Sequence, residues 1–225
     1  MRIGNRWPFL LVALSGVAVL AAIYAALVYA PTERTMGDLQ RIFYFHVPVA
    51  VIAFLGFGVA SVASIGYLVT SRRRWDIVAS CAVEIGELFA SVVILTGMLW
   101  ARAAWNTWWT WDPRLTTTLV LWLIYAGYLI IRANVEEEVR RARFAAVLGI
   151  VGFVDVPVVF MAIRWWRTIH PVVFDSSGAH LDPPMLVAFM VSLCAFLLLF
   201  GTLLVVRTRL ESLSDEVEYL RRSVL

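Results

Sequence analysis

The hydrophobic positions of this chain fall into six long blocks: Phe9–Tyr29, Val47–Thr70, Ser80–Trp100, Leu115–Ile131, Phe144–Ile163 and Met185–Val206. Crossing the hydrocarbon core of a bilayer takes about 20 apolar residues in an α-helix, the form in which one segment satisfies its own backbone groups there. The pattern therefore predicts an all-α integral membrane protein, with a six-transmembrane-helix bundle over residues 1–206. The first block is longer than a signal-peptide core and runs into Tyr29-Ala30-Pro31-Thr32-Glu33 rather than a small-residue cleavage site, so it is expected to be a retained span. Past residue 206 the pattern changes. Leu210, Leu213, Val217, Leu220 and Val224 recur at spacings of 3, 4, 3 and 4 with charges between them. This predicts an amphipathic helix over 207–225, a cytoplasmic tail that lies on the membrane surface or docks on a cytoplasmic subunit.

Polar breaks within the blocks are few. Glu84, Glu87 and Asp155 are buried in apolar runs, where a charged carboxylate costs about 2.5–3.5 kcal/mol at the bilayer centre on insertion scales. Glu84 and Glu87 lie near the start of the third block and are expected to snorkel or to pair with Arg72, Arg73 or Arg74. Asp155 is deeper, and Pro157 just after it is expected to kink the fifth helix.

Composition supports the same class. Of 225 residues 61% are hydrophobic and 16% charged, against about 45–50% and 25% in soluble domains. This excludes an ordinary cytosolic enzyme, a disordered chain and a nucleic-acid-binding domain, and six spans leave no room for a separate soluble catalytic domain. The 19 basic residues are all Arg, and their placement sets the orientation. The N-terminus, the 71–79 and 132–143 loops and the C-terminus together hold 13, the other three loops six. Both termini are therefore expected in the cytoplasm, with loops 30–46, 101–114 and 164–184 outside. Cys81 and Cys194 both lie within blocks, and there is no C-x-x-C or C-x-x-C-H, so neither thiol–disulfide chemistry nor covalent c-type haem attachment is expected. No phosphate-binding P-loop is present, so the chain is not expected to hydrolyse ATP.

Aromatic residues add the first hint of chemistry. Of ten Trp, seven cluster at the outer face (Trp100, Trp105, Trp108, Trp109, Trp111, Trp165, Trp166) and two, Trp7 and Trp75, at the inner one. An interfacial anchor belt populates both faces; this asymmetry points to a built surface. If Trp105–Asp112 is helical, Trp105, Trp108, Trp109 and Asp112 share one face. An exposed aromatic patch of that size marks a binding site, and a flat, apolar, aromatic ligand suits it. Asp112-Pro113 also reads as the N-cap and first residue of the fourth span.

The stretch Trp105-Asn-Thr-Trp108-Trp109-Thr-Trp111-Asp112-Pro113-Arg114-Leu115-Thr116 resembles the tryptophan-rich WWD signature of the haem-handling proteins of cytochrome c biogenesis. At this size and span number the chain is similar to the haem exporter protein C family of the cytochrome c maturation system. The resemblance runs from the loop before the second span through the sixth. Three departures stand out: Asn106 replaces a common Gly, residues 101–104 lack the usual Gly and Pro, and Pro171 stands where Gln often follows the last motif histidine.

Of the three histidines, His46, at the outer start of the second span, and His170, just past the outer end of the fifth, stand at matching depth on either side of the Trp loop. None lies within a block, which argues against a membrane cytochrome b. Imidazole suits iron, and His is the commonest haem ligand. The resemblance implies that His46 and His170 are the axial ligands of haem b, carried as transient cargo, with Trp105, Trp108, Trp109, Trp111 and Asp112 forming the surface against its edge. Haem brings two propionates, for which Arg is the favoured partner. Of the outer candidates Arg41, Arg102, Arg114, Arg164 and Arg167, Arg114 and Arg167 are the preferred pair. His180, in a polar stretch, reads as solvated loop. The resemblance further implies a non-enzymatic role at the periplasmic face of a bacterial inner membrane. Haem is presented there to a membrane-tethered haem chaperone, with membrane lipid, the ATPase and permease subunits of an ABC transporter and a small single-span subunit as partners. The alternatives are a haem lyase of the larger WWD type, or a structural permease subunit whose Trp loop binds a protein and no haem.

Overall fold

The computed structural model describes residues 6–166, 168–170, 174–175 and 178–224. Among these, six helical segments are long and apolar enough to cross a membrane, and the only sheet is a hairpin pairing Phe174–Asp175 with Gly178–Ala179. The chain is thus a six-span, all-helical membrane protein.

Helix α1 (Trp7–Tyr24) widens into a π-helical turn, Ala25–Tyr29, closed by the Ala30 N–H donating to Ala25 O at 2.9 Å. Arg41 takes the carbonyls at this end: its Nη1 donates to Ala26 O at 2.7 Å and Ala30 O at 3.0 Å. A cation at a helix C-terminus is also favoured by the helix dipole. A short 3₁₀ helix, Asp38–Ile42, leads directly into α2 (Phe43–Thr70). Ser71 and Arg72 then turn the chain into α3 (Arg73–Trp105).

The α2–α3 hairpin is the centre of the bundle, and glycine makes its close crossing possible. A Cβ on Gly56 would lie 3.0 Å from the Gly86 Cα, so the two backbones meet where no side chain fits. Next to this crossing Phe57 stacks face to face on Tyr125 of α4 (Pro113–Asn134), with centroids 3.8 Å apart. The peripheral α1 packs mainly on α7 (Pro183–Val224), where Ser15 and Thr202 hydroxyls meet at 2.6 Å.

The fifth span is two helices, α5 (Glu138–Phe153) and α6 (Asp155–Trp165). Pro157 explains the break. It has no N–H for the carbonyl of Phe153, and its ring crowds that carbonyl. The chain tightens there, with the Val154 N–H donating to Val151 O at 3.1 Å.

The tail continues the sixth span as helix: α7 runs unbroken for 42 residues, with Leu210, Leu213, Val217 and Leu220 exposed along it. One expectation needs correction: Glu84 and Glu87 do not pair with Arg72–Arg74. Glu84 pairs with Arg207, 123 residues away, at 2.8 and 3.1 Å, while Glu87 is buried with neither oxygen hydrogen-bonded. Arg73 instead joins Asp76, Asp215 at 2.9 Å and Glu138 at 3.2 Å, and Arg132 reaches the buried Asp76 at 2.6 Å. One ionic cluster thus ties α3, α4, α5 and α7 at the end of the bundle opposite the Trp-rich loop.

Candidate functional site

At the Trp-rich end the helices diverge around a cavity of about 1150 Å³. That exceeds the roughly 300–1,000 Å³ of most small-molecule and cofactor sites. Its deep wall is apolar, reaching Phe57, Ala90, Leu121 and Val159. Its mouth is polar and holds Glu33, Arg34, Arg114, Arg164, Asp182 and all three histidines.

His46 lies in the first turn of α2 on the cavity wall. Its Nδ1 is 2.8 Å from the Thr96 Oγ1 of α3. The Thr96 hydroxyl donates its own proton back to Val92 O at 2.7 Å, so it accepts from the imidazole. In that arrangement Nδ1 carries the proton and Nε2 the lone pair. Gly97 completes the seat, since a Cβ there would stand 3.3 Å from the His46 Cε1. This is how metal-ligating imidazoles are commonly held: the second nitrogen is hydrogen-bonded, which fixes tautomer and ring orientation.

The stretch from Trp105 to Asp112 is not helical, so the shared face that a helix would give does not form. α3 ends at Trp105 because Asn106 adopts the left-handed conformation, φ 56°, ψ 27°. Asn tolerates this region best after Gly, so Asn106 makes the turn without a glycine. Arg102 braces it, donating to Asn106 O at 2.9 Å and Oδ1 at 2.7 Å. The irregular path splits the four indoles. Trp105 and Trp109 line the cavity, joined by Trp100, whose ring meets Trp105 edge-on at 4.9 Å. Trp108 and Trp111 turn outward, 52% and 75% exposed. The Trp109 indole N–H is buried without a hydrogen-bond partner.

Asp112 lies outside the cavity lining, and its carboxylate is fully used by the protein. Oδ1 caps α4 by accepting the Arg114 N–H at 3.0 Å. Oδ2 accepts the Thr168 hydroxyl at 2.6 Å and the Ile169 N–H at 3.1 Å. The Thr168 Oγ1 in turn accepts the His170 N–H at 3.0 Å. One carboxylate thus pins the segment leading to His170 to the Trp loop, and His170 joins His46 on the cavity wall.

The outer arginines divide similarly. Arg41 and Arg102 are engaged in the caps described above. Arg34, Arg114 and Arg164 line the cavity, and Arg164 sits 5.1 Å over the Phe160 ring. Arg167 and Pro171 lie outside the described residues. His180, expected to be plain solvated loop, is exposed but also borders the cavity. At the rim Glu33 accepts the backbone N–H groups of Met36 and of Thr35, the latter at 2.7 Å. These bonds, Met36 foremost, hold its carboxyl below the usual carboxylate range.

Thr96, Gly97, Arg34 and the depth of the apolar wall were not singled out from the sequence. Thr96 is one hydroxyl in an apolar run, 50 residues from the histidine it holds, and no local spacing connects them. Among the described residues no cluster of three or more His, Cys, Asp or Glu is placed to hold a metal ion. A metallo-macrocycle, whose own nitrogens fill four positions, needs only one or two protein ligands.

Fold and site together define a multi-pass helical membrane protein with a deep, apolar, histidine-bearing cavity at one end of its bundle. Comparison with known proteins makes this more particular: residues 1–223 match the family described as Heme exporter protein C, and the chain belongs to that family. Among its relatives, the Heme exporter protein C of Bradyrhizobium diazoefficiens is 38% identical over 194 residues, covering 85% of this chain and 74% of that protein. That of Haemophilus influenzae is 30% identical over 219 residues, covering 96% and 87%. A putative cytochrome c biosynthesis ccmC-like mitochondrial protein of Marchantia polymorpha is 29% identical over 205 residues, covering 91% and 87%.

Proposed function

We propose that this chain holds haem b as cargo, with His46 Nε2 and His170 as axial ligands, and passes it on during c-type cytochrome biogenesis. The observation that carries the reading is the seat of His46: Thr96 fixes the tautomer that leaves Nε2 as the ligating atom, in a cavity that also contains His170. Trp105 and Trp109 supply aromatic surface against the macrocycle. Arg114, with Arg164 and Arg34 at the mouth, faces the propionates; Arg167 belongs to the same role by sequence alone. Asp112 acts by positioning His170, not by touching haem. The family relationship supports haem as the ligand.

By the arginine distribution the cavity faces outward, with both termini and the tail beyond residue 206 in the cytoplasm; the family relationship supports reading that outer side as the periplasm of a bacterial inner membrane. Trp108 and Trp111, apolar and outward-facing beside the cavity, form the surface where a membrane-tethered haem chaperone docks to receive the cargo. The ATPase and permease subunits of an ABC transporter and a small single-span subunit complete the assembly, so ATP is used in a partner subunit rather than here.

Haem titration of the purified protein tests this. The wild type is expected to give a six-coordinate, bis-imidazole spectrum. His46→Ala and His170→Ala are each expected to lose it, and the double variant to lose tight binding. A wild type that stays colourless with ample haem would count against the function. A double variant with the wild-type spectrum would mean that other residues are the ligands.

A further inference from the structure

The cavity wall is not closed. It is built by α2, α3, α4, α6 and α7, and neighbouring helices pack along most of its circumference. The exception lies between α2 and α6. Lower in the bundle α2 is packed on α5, with Gly58 against the Phe153 ring. Above the Pro157 break α6 follows α4 instead, and among the described residues α2 and α6 share at most a marginal contact. Val51 of α2 and Phe160 of α6 flank this gap. Both line the cavity and are 40% and 53% exposed. Arg164 stands above, its guanidinium 5.1 Å over the Phe160 ring.

From this we infer that the gap between α2 and α6 is a lateral portal through which haem enters the cavity from the adjoining lipid leaflet. The inference rests on the haem-binding reading above and adds the route. Both helices belong to spans, so in a bilayer a gap between them opens onto acyl chains. The order of groups along the opening matches the molecule that passes. Haem is a flat apolar ring with two carboxylates on one edge. In a leaflet its ring lies among the acyl chains and its carboxylates at the headgroups. The apolar residues of the portal meet the ring, while Arg164, one to two helical turns nearer the interface than Val159 and Phe160, meets the carboxylates. The route avoids drawing the macrocycle through water. The Pro157 break gains a purpose: it turns the outer half of span five away from α2.

The test uses the full-length protein in lipid nanodiscs, with Cys194→Ala as background because Cys194 is exposed. Val51→Cys and Phe160→Cys are joined by thiol crosslinkers of graded length, and haem is supplied from donor vesicles. Loading through a barred portal would have to wait for a rare opening, so crosslinking is expected to slow it by about tenfold or more, with recovery after a cleavable linker is cut. Protein loaded before crosslinking is expected to keep its wild-type spectrum, which shows that the site itself is intact. Val51→Trp is expected to slow loading in the same sense without any crosslink, whereas Val62→Trp, on an exposed part of α2 outside the cavity lining, is not. Unchanged loading rates in both the crosslinked protein and Val51→Trp would overturn the portal and leave the binding site standing. A wild type that takes up no haem would overturn the binding reading itself.

Discussion

His46, Thr96 and Gly97 act as one unit. The imidazole of α2 is buried against α3, its Nδ1–H satisfied by a hydroxyl whose own proton is committed to Val92 O. Thr96→Val keeps the volume and removes the acceptor, and outer-shell partners of metal-bound histidines are typically worth about 10–100-fold in affinity. A loss in that range is expected in haem titration, with Thr96→Ser close to wild type. Asp112→Ala acts on the other ligand. It removes an N-cap, worth about 1 kcal/mol, and releases Thr168 and Ile169. Its haem complex is expected to shift toward a single-histidine, five-coordinate spectrum. The candidate ligands and the capping role of Asp112 were legible from local motifs. The support around them was not, because Asp112–Thr168 and His46–Thr96 are tertiary contacts 56 and 50 residues apart.

The helices follow the hydrophobic blocks because the bilayer dictates their length, and Pro157 announced the break in the fifth. The Trp-rich loop departs from a helical reading for a backbone reason: Asn106 stops α3 in the left-handed region, and periodicity beyond that residue has no meaning. Hence two indoles line the cavity and two face outward. Trp108→Ala and Trp111→Ala are expected to leave haem affinity near wild type while weakening transfer to the chaperone, and Trp109→Ala to lower affinity itself. Equilibrium titration alongside a transfer assay separates the two. At the opposite end, the ionic cluster depends on pairing across four helices. Asp76→Ala leaves Arg132, and in part Arg73, without their buried partner. Breaking such a pair costs roughly 3–5 kcal/mol, so a clearly lowered midpoint in thermal unfolding is expected.

In the whole molecule the two ends do different work. Ion pairs clamp α3, α4, α5 and α7 together at one end, while at the other the helices spread around an apolar hollow. Stability and cargo are thereby separated along the membrane normal, and the hollow can open sideways without unpicking the clamp. The class of protein was legible from the hydrophobic blocks. The hollow was not, because a cavity is a property of how helices diverge rather than of any one helix. With the orientation proposed, Thr35→Cys is expected to react with an impermeant maleimide from outside intact cells, and Glu136→Cys only after permeabilisation. The most direct test of the central claim is pulsed EPR of the ferric haem complex with ¹⁵N-histidine labelling. The account predicts a low-spin centre coupled to two imidazole nitrogens, one lost in His46→Ala and the other in His170→Ala; a high-spin centre, or couplings unchanged in either variant, would contradict it.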